Sequence, residues 1–144
     1  MNLQEYPHAV DCAWIGSDRH DRPAVFVTAG EGPIPAAALR ADFFPVVEVE
    51  ARVLRMGERL NQGVRVLAKV PDPGSYIRLA RRGLFVYDWS DVTRHVGHTD
   101  AYELMAAPLN PILCSQLPED LRTVARAVNF PGLAFADSLQ VKVE

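Results

Sequence analysis

Apolar and polar residues follow one another along this chain in short blocks, and the period within each block predicts its element. Residues 11–16 and 24–28 are two apolar runs rich in β-formers around the polar turn 17–22, the pattern of a β-hairpin. Gly30, Gly32, Pro33 and Pro35 then interrupt any regular element, which predicts a tight turn with glycine at positive φ. Pro35 suits the first position of a short alanine-rich helix over 36–43, stopped by Pro45. Residues 46–56 carry two periods at once. Val47, Val49, Ala51 and Val53 alternate with charges as in a strand, while Val46, Val49, Val53 and Met56 share a helical face. Pro45 and Gly57 punctuate the segment as they would a helix, and the helix is preferred. Strict alternation over 64–70 predicts a strand with one buried face.

The next helix is better marked. Asp72 is a good N-cap, Pro73 fits a first turn, Tyr76, Ile77 and Ala80 share a face, and Gly83 follows Arg81 and Arg82 at the end. A strand over 84–89, a polar connection over 90–100, a strand over 101–107 and an extended piece at 112–114 come after it. Pro118 opens another helix, with an acidic first turn at Glu119 and Asp120 and an apolar stripe of Leu121, Val124, Ala125 and Val128. One or two short strands over 133–143 close the chain. Hairpins with interspersed helices and no βαβ alternation predict an α+β fold. Residues 1–144 form a single domain with a mainly antiparallel sheet and three to four helices packed on it as one layer pair.

Composition narrows the class. The chain has 144 residues, 49% hydrophobic and 23% charged, which is globular usage. A net charge of −3 argues against nucleic-acid or anionic-membrane partners, and no apolar run reaches membrane-spanning length. With no basic, then apolar, leader at its start, the chain is expected in the cytoplasm. There Cys12 and Cys114 are expected as reduced thiols. Charge is segregated: residues 46–82 hold eight bases and four acids, and both flanks are acidic. Those bases are expected on a solvated face or paired with the flanks.

Three constellations invite chemistry. His95 and His98, near Asp91 and Asp100, could hold a divalent ion, which would support a small metal-dependent hydrolase; a solvated loop accounts for them more simply. The Gly30–Gly32 turn resembles a phosphate loop only in its glycines, because the lysine is missing and Glu31 would repel an anion. Asp88, Trp89 and Asp91 stand at a strand end. They read as an edge of the core, or as a recognition surface in which tryptophan and carboxylates meet a basic partner. A ligand-sensing scaffold working through the Trp89 edge is a further reading. No nucleophile elbow, dinucleotide fingerprint or zinc motif is present, so no catalytic residue and no cofactor is assigned.

Trp14-Ile15-Gly16, the turn from Ala29 to Pro35, the run from Arg81 to Val92, and Tyr102-Glu103-Leu104 leading to Leu117-Pro118 occur in that order. Together they resemble small bacterial cytosolic proteins encoded beside secreted or contact-dependent toxin genes. The resemblance implies an immunity protein that binds a cognate toxin effector stoichiometrically and is not an enzyme. It carries no catalytic residues. The partner surface expected on this basis comprises Asp88, Trp89 and Asp91 with Asp18, Asp21 and Glu31, and an exposed strand edge is the feature that would support a homodimer.

Overall fold

A computed structural model describes residues 2–89 and 100–143. It is an α+β fold built on one mixed sheet. The strands are β1 (Ala13–Asp18), β2 (Pro23–Val27), β3 (Val64–Val66), β4 (Phe85–Asp88), β5 (Tyr102–Pro108), β6 (Asn129–Phe130) and β7 (Gln140–Val141). Their order is β3-β5-β4-β2-β1-β6, with β7 alongside β5. Most neighbours are antiparallel, as expected. The pairs β2–β4 and β1–β6 are parallel, and local pattern does not show parallel pairing because the partners are far apart in sequence.

The helices are α1 (Val49–Leu54), α2 (Gly74–Ala80) and α3 (Glu119–Ala127). The helical period wins over 46–56 because it buries Val46, Val49 and Val53 and leaves Val47 52% exposed. A strand there would have put Val47 and Val49 on the same face. The helix expected over 36–43 shortens to one 3-10 turn, Ala36–Leu39. The strand expected over 64–70 ends at Val66, since Leu67 and Ala68 both donate to the carbonyl of Met105, where the β4–β5 register slips.

Side-chain parity sorts the sheet into two faces. Ser17 and Asp88 lie on the helix side: the Ser17 hydroxyl donates to the Ala125 carbonyl of α3, and the Tyr76 hydroxyl of α2 donates to Asp88. On the other face, Trp14, Phe26 and Tyr87 occupy matched positions on β1, β2 and β4. Their rings stack across the strands, with centroids 4.0 Å apart for Trp14–Phe26 and 5.0 Å for Phe26–Tyr87. Phe135 and Phe130 from the C-terminal segment close over this row, Phe135 standing edge-on to Phe26 and Tyr87. Gly16 permits the cover, because a Cβ there would lie 2.9 Å from the Val128 carbonyl oxygen.

Tyr102 ties the row to the loop after β2. Its hydroxyl accepts the indole N–H of Trp14 (3.1 Å) and donates to the carbonyl of Pro33 (2.9 Å). Gly32 makes room for it, as a Cβ at that position would sit 2.5 Å from the hydroxyl oxygen. Gly30 takes the positive φ (81°) that the sequence predicts for this turn, and Ala29 shares it at 54°.

Two substitutions separate packing from polar linkage in this core. Phe26→Ala should destabilise the fold by about 3–5 kcal/mol through the cavity it opens. Tyr102→Phe should cost about 1–3 kcal/mol, because it strands the buried N–H of Trp14 and the Pro33 carbonyl. Urea denaturation followed by tryptophan fluorescence measures both; equal costs would mean that the hydroxyl link contributes as much as a whole ring.

Candidate functional site

The expected partner residues that the structure describes, Asp18, Asp21, Glu31, Asp88 and Trp89, are not gathered on one surface. Asp18 is 1% exposed. One of its carboxylate oxygens accepts the backbone N–H groups of His20 (2.9 Å) and Arg22 (3.0 Å), and the other that of Phe135 (2.8 Å). It therefore closes the β1–β2 turn and docks the C-terminal segment. Asp88 is 4% exposed and bonded by Tyr76, whose phenol burial and this carboxylate hold well above its ordinary pKa. Trp89 is 8% exposed and stands edge-on to Tyr102 at 5.0 Å. Of the expected partner surface, Asp18, Asp88 and Trp89 are thus interior structure, which for Asp88 and Trp89 agrees with the core-edge reading: each side chain finds its partners inside the protein.

Asp21 lies at the hairpin tip with φ 59° and forms an ion pair with Arg126 of α3 (2.9 Å). The hydrogen bond from Arg126 holds its carboxyl below the ordinary value. Glu31 is exposed and borders a small cavity of about 270 Å³ with Tyr6, His8, Gly30 and Gly32. Asp91, His95 and His98 lie outside the described residues, so the metal-loop reading does too. Among the described residues, no group of three or more His, Cys, Asp or Glu side chains stands together as a metal cluster would.

Both cysteines are buried and free. Burial raises both thiol pKa values, and the Asp21 carboxylate helps push Cys114 up to about 12. A thiol so placed is protonated and shielded, the reverse of an activated nucleophile.

A cleft of about 520 Å³ opens between the loop before α1 and the first turn of α3. Its floor is Phe43 and Phe44, both half-buried, and its walls carry Asp42, Glu119, Asp120 and Thr123. Arg52 organises it. Its guanidinium lies 4.0 Å over the Phe44 ring while pairing with Glu48 (2.8 Å) and Asp120 (2.6 Å). Arg40 likewise covers Phe43 and pairs with Asp42 (2.7 Å). The guanidiniums hold the Asp42 carboxyl down by hydrogen bonding and the Asp120 carboxyl down against the effect of burial. Both aspartates are thus charged at neutral pH, and Glu119 adds an exposed carboxylate without a cationic partner among the described residues. Arg40 and Arg52 thus already occupy ring faces and the Asp42 and Asp120 carboxylates, and Glu119 is the carboxylate left to meet a further guanidinium or ammonium group.

The acidic first turn of α3 is legible in the sequence, but only as a helix start. That it meets the Asp-Phe-Phe-Pro loop depends on a contact between residues about 80 positions apart, and no local pattern signals it. No protein-family model matches the chain, and neither a curated protein nor a solved structure matches it.

Two outcomes test this description. Iodoacetamide at pH 8 should label neither Cys12 nor Cys114 until denaturant unfolds the protein, as read by mass spectrometry. Arg126→Ala should lower the melting temperature at pH 6 but much less at pH 3. A carboxyl depressed in the folded state stabilises above its unfolded pKa, near 3.8, and loses that contribution as pH falls through the folded value.

Proposed function

We propose that this protein is an immunity protein that acts in the cytoplasm by stoichiometric binding of a basic toxin effector. The observation that carries the reading is the cleft of Phe43 and Phe44 rimmed by Asp42, Glu119 and Asp120. Toxins that act on nucleic acids or nucleotides need basic clefts for phosphate, and an inhibitor gains speed and selectivity by matching them with fixed carboxylates. The resemblance of the chain to immunity-type proteins supports the same reading.

The site fits binding better than turnover. Asp42 and Asp120 are held in ion pairs with Arg40 and Arg52, which fixes the geometry of the site around the exposed Glu119. Prepositioned groups of this kind lower the ordering cost of association. A lysine or arginine from the partner would enter beside the Arg40–Phe43 and Arg52–Phe44 stacks and meet Glu119. No helix among the described residues is long and apolar enough to cross a membrane, which agrees with an inhibitor that meets its target in solution.

Co-expression with the product of the neighbouring gene tests the proposal. The expected result is relief of growth arrest and a one-to-one complex in size-exclusion chromatography. Glu119→Lys combined with Thr123→Arg should weaken that complex at least tenfold while lowering the melting temperature only modestly, since both side chains are exposed and the loss is confined to the first-turn carboxylate of α3 and the Thr123 hydroxyl bond to the Glu119 carbonyl. Equal growth arrest with and without this protein would overturn the function. Full affinity in the double variant would move the interface away from the cleft.

A further inference from the structure

The bases of residues 46–82 are expected on a solvated face or paired with the acidic flanks, and both occur: Arg52 pairs with Asp120 of the C-terminal flank, and other arginines face solvent. Within residues 55–82 seven bases stand against two acids. Among the described residues, Arg81 and Arg82 pair with Glu58, which belongs to the same segment. Arg82 is structural: its guanidinium donates to the carbonyls of Leu54, Met56 and Arg78 and so joins the ends of α1 and α2. Arg55, Arg59 and Arg65 are exposed and form no ion pair among the described residues.

The two most exposed large apolar side chains among the described residues are Leu60 at 91%, which follows Arg59 in the chain, and Leu109 at 64%, which bonds to Gly63 just beyond the pairing of Arg65 with Ala107. Neither projects from a loose segment. The Arg59 N–H donates to the Arg81 carbonyl (3.1 Å), and the Gln62 N–H closes the turn onto the Arg59 carbonyl (3.2 Å). Gln62 and Asn110 then exchange two hydrogen bonds, at 2.6 and 2.9 Å. Leu109 packs over Gly63, where an added Cβ would lie 2.5 Å from its methyl group. The fold thus pins a turn so that Leu60 faces water and contributes nothing to the core. A prepositioned apolar side chain among arginines has the make-up of a binding hot spot.

We propose that this ledge, formed by Arg59, Leu60, Arg65 and Leu109, is a second docking surface, for an acidic polypeptide segment in which carboxylates alternate with aliphatic side chains. Charge selects this occupant. A second copy docked ledge to ledge would bring like charges together. Nucleic acid would find arginines but no aromatic ring on the ledge for base stacking, and a protein of net charge −3 repels a long polyanion. A short acidic segment feels mainly the local arginines, since salt screens charges beyond about 8–10 Å. This surface is independent of what the Phe43–Phe44 cleft binds.

The test is an NMR titration of the intact, isotope-labelled protein with an eight-residue peptide of alternating Glu and Leu. The amides of residues 59–66 and 109–110 should shift, and the apparent Kd should rise at least tenfold in Arg59→Glu/Arg65→Glu and at least threefold in Leu60→Ser. Leu60 is almost fully exposed, so its variant should fold normally. A Lys–Leu peptide of the same length should not bind. The proposal is overturned by no shift at millimolar peptide, by equal binding of the Lys–Leu peptide, or by shifts confined to the Phe43–Phe44 cleft. Tighter binding of a 20-base-pair DNA or of phosphatidylserine vesicles at the same arginines overturns it as well. So does self-association abolished by the same substitutions.

Discussion

The stacked row of Trp14, Phe26 and Tyr87 fixes where everything else in this protein can go. Three aromatic side chains at matched positions on adjacent strands make a flat apolar surface that must be covered. Phe130 and Phe135 cover it, which obliges the chain to return to the sheet after α3. Two otherwise puzzling features follow. Asp18 is buried because the returning segment needs an acceptor for the Phe135 N–H, and Gly16 has no side chain because the Val128 carbonyl crosses above it. A buried carboxylate is costly unless it is fully bonded, and three backbone donors meet that condition here.

The sequence is most informative where a buried stripe and an end signal coincide. The hairpin of β1 and β2 and the helix α3 appear close to their expected bounds, because alternation, apolar periodicity, proline and acidic first-turn residues all agree there. Over 46–56 two periods compete, and terminal punctuation picks the correct one. The expectations at 36–43 and 64–70 overrun for a shared reason. Local pattern gives the type of an element, whereas its length is set by tertiary partners such as the Met105 carbonyl that receives both Leu67 and Ala68.

Site residues are harder to read because an acid beside a strand end looks the same whether it faces water or caps a turn. Asp18 caps the β1–β2 turn and Asp88 accepts the Tyr76 hydroxyl, both inside the protein, and the partners Phe135 and Tyr76 are 117 and 12 positions away. Trp89 carries both readings in the sequence, core edge and recognition surface, and its neighbours Tyr102 and Gly32 decide for the interior. Exposure is a property of packing, so an acidic or aromatic residue signals a surface only once the element that might cover it is known.

Charge segregation gives the molecule two unlike surfaces, and the difference between them lies in how each charge is held. In the Phe43–Phe44 cleft, Arg40 and Arg52 lie over the aromatic rings and neutralise Asp42 and Asp120, leaving Glu119 as the open carboxylate among the described residues. On the ledge, Arg59 and Arg65 have no such counter-charges among the described residues, and Leu60 is turned outward by a hydrogen-bonded clamp. The first arrangement favours shape and a single inserted cation. The second leaves full charge available to steer an acidic segment, with apolar contact to retain it. A protein with both could bind two oppositely charged surfaces without either competing for the same side chains, because no residue of the cleft is shared with the ledge.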